Sequence, residues 1–173
     1  MVASITGTAQ PLFDFTRSGS ESPGELWKET SDTTKSSTGM SKASLVIQKS
    51  QSFQRAVLFT LLNPKKTGNG YAAVQCETNF NLGEFNNVSI RCRAQGVNVH
   101  YKMILRHKGH NNNSLVYGQV FTAPSNEFAT VKLPFETFKP YYRGKELSLE
   151  EHPLDRTAIT NIGLKIDKGP YLP

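Results

Sequence analysis

Residues 86–106 carry the pattern that most limits what this chain can fold into. From Asn86 to Ala94, Val88, Ile90, Cys92 and Ala94 alternate with Ser89, Arg91 and Arg93. After Gln95-Gly96 the alternation resumes, with Val97, Val99, Tyr101, Met103 and Leu105 set against Asn98, His100, Lys102 and Arg106. A period of two puts successive side chains on opposite faces of an extended strand. Repeated in neighbouring strands, it implies an antiparallel sheet with one face on a core and the other towards solvent.

Other segments obey the same rule. Leu12–Phe15 and Leu26–Glu29 read as short strands, followed by loop through Ser41. Lys42–Lys49 alternates through Ala43, Leu45 and Ile47, and Arg55–Leu62 follows as a partner. The run Asn63-Pro64-Lys65-Lys66-Thr67-Gly68-Asn69-Gly70 is rich in chain-breaking residues, and Tyr71–Glu77 returns as a strand. Leu105–Asn113 reads as a basic hairpin tip, with Ser114–Thr122 and Phe128–Leu133 as the next strands. Pro134 removes a ladder donor, so that last strand ends there or lies at an edge. Phe135 and Phe138 are spaced to anchor one tight turn in a core, and Pro140 and Gly144 bracket a loop. Residues 146–155 form the one helical or irregular insertion, before a strand ending in Ile159, Ile162, Leu164 and Ile166. Short strands at near-regular spacing, with almost no helical periodicity, make this an all-β antiparallel sandwich.

A length of 173 residues suits one domain, 1–173, with a sizeable core. A hydrophobic content of 37% and mean hydropathy of −0.43 fit a folded chain. The longest apolar run, Ala56–Leu62, is far too short for a transmembrane segment. Met1–Gln10 contains no Arg and no signal-type apolar core, so no transit or signal peptide is visible. A net charge of +6 favours acidic partners without choosing among nucleic acid, anionic lipid and acidic protein. Nucleic acid is not expected, because no recognition motif is present and no paired aromatics accompany the basic positions.

Chemistry-bearing groupings are few. If the two strands of residues 86–106 pair, Arg91, Arg93, His100, Lys102 and Arg106 gather on one face, which suits an acidic or polyhydroxylated partner. Tyr101 and Tyr117 are the aromatics a glycan would use, set against a packing role in the core. His107 and His110 lack a Cys or carboxylate at ligand spacing, so no metal site is expected. There is no phosphate-binding loop, dinucleotide fingerprint or serine elbow. Glu146, Glu150, Glu151 and Asp155 form a charge run without an opposed carboxylate, so no catalytic residues are assigned. Cys76 and Cys92 read as two reduced, half-buried thiols; they flank the turn Asn79–Phe85 and allow one disulfide at most, depending on register. Asn87-Val88-Ser89 and Asn112-Asn113-Ser114 are glycosylation sequons that matter only in a secretory compartment.

The order of several segments resembles one family. Trp27-x-x-x-x-Asp32, Thr38-Gly39-Met40-Ser41, Ala43–Ile47, Ala56–Thr60 and Gly70–Gln75 come first. Asn87–Gly96, Val99–Met103, Tyr117-x-x-x-Phe121 and Val131-x-Leu133-Pro134-Phe135-x-x-Phe138 follow. Arg143-Gly144 and Ile159-x-x-Ile162-Gly163-Leu164-x-Ile166 complete the set. Together, over residues 12–171, they resemble the complex I intermediate-associated protein 30 family. That resemblance implies a galactose-binding-like jelly roll, similar in fold to family 11 carbohydrate-binding modules, with no catalytic residues and no cofactor. It implies a mitochondrial assembly factor, in the matrix or associated with the inner membrane. Its partners would be complex I subunits or other assembly factors. A cytoplasmic location and a carbohydrate-binding role are the alternatives. The sequence departs from the family at Gly39-Met40, at Gln95-Gly96-Val97 and after Gly169-Pro170-Tyr171. On this reading the candidate binding residues are Arg91, Arg93, His100, Lys102 and Tyr117.

Overall fold

The computed structural model describes residues 1–5, 8–17, 25–35, 40–63, 70–110 and 115–167. The Asn112 sequon, most of the turn after Asn63, Thr38-Gly39 and Gly169–Tyr171 lie outside the described residues. The strands are β1 (Val2–Ile5), β2 (Thr8–Pro11), β3 (Trp27–Glu29), β4 (Lys42–Lys49), β5 (Gln54–Leu61), β6 (Tyr71–Phe80) and β7 (Asn87–Cys92). Then come β8 (His100–His107), β9 (Val116–Thr122), β10 (Ala129–Pro134), β11 (Lys139–Tyr142), β12 (Lys145–Glu146) and β13 (Ile159–Asp167). A four-residue helix, α1 (Asp32–Lys35), and two 3-10 turns, Phe135–Thr137 and Arg156–Ala158, complete the described elements. The fold is the antiparallel β-sandwich that the alternation implied, of the jelly-roll type that the family resemblance implied.

The chain divides into two compact units, one of residues 1–12 and 78–162, the other of residues 13–77 and 163–173. In the first, one sheet runs β10-β7-β1-β2 and another runs β12-β11-β9-β8-β13. Register explains which side chains are inside. Leu133 faces Val88 and Val131 faces Ile90 across β10–β7. Tyr101 faces Phe121, Met103 faces Gln119 and Leu105 faces Tyr117 across β8–β9. Val88, Leu133, Met103, Leu105 and Tyr117 are buried. Burying a side chain of this size stabilises the fold by about 1.5–3 kcal/mol.

In the second unit the order is β13-β6-β3, with β4–β5 a separate hairpin. Its organising carboxylate is Asp32. Oδ1 accepts from the Ser41 backbone N–H at 3.0 Å, and Oδ2 accepts from the Ser41 hydroxyl at 2.8 Å and the Tyr71 N–H at 3.2 Å. One side chain thus fixes the starts of both β4 and β6. Phe13 lies edge-on to Trp27 at 5.2 Å, and Phe13 stacks on Phe15 at 6.0 Å.

Several expectations need correction. Leu12–Phe15 is not a strand. The Asp14 carboxylate accepts from both the N–H and the hydroxyl of Thr16, bending the chain so that both Phe rings reach Trp27. The N-terminal strands are β1 and β2 instead. The second alternating run starts at His100 rather than Val97. Gly96 takes φ +93° and Val97 is fully exposed, so the chain turns there. β8 continues to His107, so Leu105 and Arg106 lie within a strand rather than a hairpin tip. Pro140 to Gly144 is no loop: β11 and β12 form a hairpin whose central residues, Arg143 (φ 49°) and Gly144 (φ 79°), both have positive φ. That is the turn geometry whose twist matches paired strands. Two readings need no correction: residues 147–155 are irregular, one of the two forms expected there, and Cys76 and Cys92 are free thiols.

Candidate functional site

The assumption that β7 pairs with β8 does not hold. β7 pairs with β1 and β10, while β8 pairs with β9. The basic positions therefore divide between two sheets of the first unit. Arg91 is exposed on β7, opposite Thr130. Arg93 follows the strand, with its guanidinium 5.1 Å from the centre of the Phe128 ring. His100 and Lys102 lie on β8, two residues apart and hence on one face.

That face of β8 and its neighbours carries polar and apolar side chains together. His100, Lys102, Ile104 and Arg106 alternate with the core residues of β8. Opposite them on β9 stand Thr122, Val120 and Gly118. On β11, Lys139 faces Gly118 and Tyr141 faces Val116. Gly118 explains how these residues meet. A Cβ at that position would come 3.1 Å from Lys102 Cδ and 3.3 Å from Ile104 Cδ1. Without one, the Lys102 stem lies across β9, and its ammonium reaches 5.3 Å from the centre of the Tyr141 ring. A cation over a ring face is held by the ring quadrupole. At the ends of the surface, His100 Nδ1 lies 3.1 Å from the Thr122 hydroxyl, and Lys139 pairs with Glu146 at 3.0 Å.

Tyr117 does not belong to this surface. It faces inward, is fully buried, and its hydroxyl donates to the carbonyls of His152 and Pro153 at 3.0 and 3.2 Å. Burial raises the pKa of its phenol, so it stays neutral. Tyr101 is likewise directed inward, stacked on Phe121 at 6.0 Å. Lys139, Tyr141 and Gly118 were the residues that sequence reasoning missed. The proline at 140 concealed the alternation of β11, and nothing local marked Gly118 as a gap for a neighbour.

His107 is buried, and its Nδ1 accepts from the Asp155 N–H at 2.8 Å. That nitrogen is used in tying residues 147–155 to β8. Burial is the first cause that lowers the His107 pKa, followed by His110 and Lys108. Among the described residues, no group of three His, Cys, Asp or Glu is placed to hold a metal. Below the same unit's β7–β10 edge lies a groove of about 650 Å³, bounded by Asn87, Lys132, Phe135, Leu154 and Arg156. The Arg156 guanidinium stands over the Phe135 ring at 5.7 Å and donates to the Phe85 carbonyl.

Solved structures that share the fold include two carbohydrate-binding modules. A family 11 carbohydrate-binding module from Clostridium thermocellum, in complex with a β-1,3-1,4-mixed-linked tetrasaccharide, superposes with a TM-score of 0.61 at 14% identity. The match covers 81% of this chain and 78% of that one. The family 11 module of the C. thermocellum cellulosomal cellulase Lic26A-Cel5E gives 0.58 at 14% identity, over 81% and 77%. At that identity the likeness is one of fold. No curated protein sequence matches the chain. The model of the family described as complex I intermediate-associated protein 30 matches residues 13–171, nearly the whole length. The chain belongs to the complex I intermediate-associated protein 30 family.

Proposed function

We propose that this chain is a non-catalytic assembly factor that binds protein intermediates of respiratory complex I in mitochondria, acting as a single module. The observation that carries the reading is the family match over residues 13–171. The outward face of β8, β9 and β11 is the docking surface. Lys102 held over Tyr141, with Arg106 and Lys139 on the same face, presents cations on the sheet, and His100 adds an imidazole. Such a surface selects an acidic partner and steers its approach. Arg91 and Arg93 on the other sheet extend the basic character of this unit and form a separate contact area. The test is affinity purification from mitochondria of the full chain and of Lys102→Glu with Tyr141→Ala. Loss of complex I subunits from the variant is expected. Retention of those subunits would remove this face from the reading, and their absence from the wild-type sample would remove the reading itself.

A carbohydrate-binding role is the second reading, favoured by the fold shared with a module solved with a bound tetrasaccharide. Tyr141 is then the ring a sugar would stack on, with Lys102 and His100 as hydrogen-bonding groups. Calorimetric titration with that mixed-linked tetrasaccharide decides it: heat lost in Tyr141→Ala supports the role, and no heat ends it.

A further inference from the structure

The charge of this chain is concentrated in one stretch. Residues 33–76 hold Lys35, Lys42, Lys49, Arg55, Lys65 and Lys66, and no Asp or Glu. The remaining cations, 20 less those six, equal the 14 carboxylates, so the formal excess of +6 lies entirely in this stretch. The same stretch holds half of the exposed large apolar side chains among the described residues: Met40, Val46, Phe53, Phe59 and Leu61.

Register shows how the two features combine. Across β4–β5, Lys42 faces Leu61, Ser44 faces Phe59, Val46 faces Val57 and Gln48 faces Arg55, all on one side of the hairpin. Phe59 is 59% exposed and Leu61 60%, with Phe53 at the hairpin tip 47% exposed. A groove beside Trp27 and Val74 is lined from both sides of the hairpin, by Ala43, Leu45 and Thr60 and by Lys42, Ser44, Phe59 and Leu61. The outer side thus sets Val46, Val57, Phe59 and Leu61 beside Ser44 and Gln48, with a cation at each end. Lys42 approaches Glu29 at 3.9 Å yet keeps 64% of its side chain exposed. The Arg55 guanidinium lies 5.0 Å from the centre of the exposed Phe53 ring.

We propose that the outer side of β4–β5, led by Phe53, Phe59 and Leu61, binds an anionic phospholipid surface. Charge selects this occupant. A second copy would bring two carboxylate-free hairpins together, and like charges repel. An acidic protein is the weaker fit, because protein interfaces enrich Arg and deplete Lys, whereas all but one of these cations are Lys. Lysine suits a bilayer: its stem lies along apolar surface while the ammonium stays at the level of the phosphates. Exposed Phe and Leu beside such cations are the composition of an element that lies in the membrane interface. The proposal stands without the assembly-factor reading, since it uses none of that surface.

The test is flotation of the full chain with phosphatidylcholine vesicles, with and without phosphatidylglycerol. Binding is expected only with the anionic vesicles, and it weakens as salt rises. Arg55→Glu and Lys42→Glu each lower the partition coefficient by at least about fivefold. Phe59→Ser with Leu61→Ser removes flotation. In Phe53→Trp, anionic vesicles shift the emission to the blue against the buried Trp27, a readout that holds even if the double variant folds poorly. Absence of flotation with anionic vesicles overturns the proposal. So does flotation unchanged in the serine variant, or a concentration-dependent dimer in light scattering that the same variant abolishes.

Discussion

The hairpins β8–β9 and β4–β5 obey one alternation rule and use it in opposite ways. In β8–β9 the inner pairs, Tyr101–Phe121 and Leu105–Tyr117, are core, and the outer positions carry His100, Lys102 and Thr122. In β4–β5 the outer positions carry Val46, Phe59 and Leu61. A period of two assigns side chains to two faces but does not say which face meets water. Neighbours decide that: β8 is flanked by further strands of its sheet, whereas β4 and β5 pair only with each other among the described strands.

The sharpest way to break the contrast is to truncate one aromatic from each hairpin. Tyr117→Ala leaves a cavity in a fully buried site and should cost about 3–5 kcal/mol in urea unfolding. Phe59→Ser should change stability by no more than about 0.5 kcal/mol, since its ring is already exposed. Equal losses from the two would abolish the distinction. Next in size is Asp32→Ala, which anchors the β4 end of the comparison. It strips the acceptor from two backbone N–H groups and should cost about 2–4 kcal/mol, with Asp32→Asn recovering part.

Acid should act on the β8 side. The His107 pKa lies below its ordinary 6.5 in the fold, so the unfolded chain takes up the proton first. The stability that neutral His107 contributes is complete above pH 6.5 and is lost as pH falls below it, at up to about 1.4 kcal/mol per pH unit. His107→Gln retains an acceptor for the Asp155 N–H and should flatten the urea midpoint against pH in that range. An unchanged slope would place the acid sensitivity elsewhere. The smallest effect is expected for Gly118→Ala. The new methyl crowds the flexible Lys102 stem, costing about 1 kcal/mol or less. It should weaken partner binding more than it weakens the fold.

Much of this was legible in local pattern. The β4, β5, β7, β9, β10 and β13 segments announced themselves by alternation. The Phe135–Phe138 turn did so by a proline and two rings, both of them buried. The strand over Leu12–Phe15 was misread because Asp14 captures its own neighbour's N–H, a competition that propensity does not weigh. β11 was hidden because Pro140 reads as a breaker, although its buried ring occupies an inward position facing Tyr117.

The candidate surface divides in the same way. The pairing of His100 with Lys102 on one face followed from spacing two residues apart. Separation of Arg91 and Arg93 from them did not, because strand partnership is a long-range choice. Nor did the inward direction of Tyr117, which register sets. By itself the sequence determined an antiparallel β fold, the family, the basic balance and its concentration in residues 33–76. Tertiary structure alone decided which strands pair, which face of β4–β5 stays exposed and which cation reaches Tyr141. The physical reason is that side-chain period is a local property of the backbone. Burial is a property of what packs against it, and residues far apart in the chain supply that.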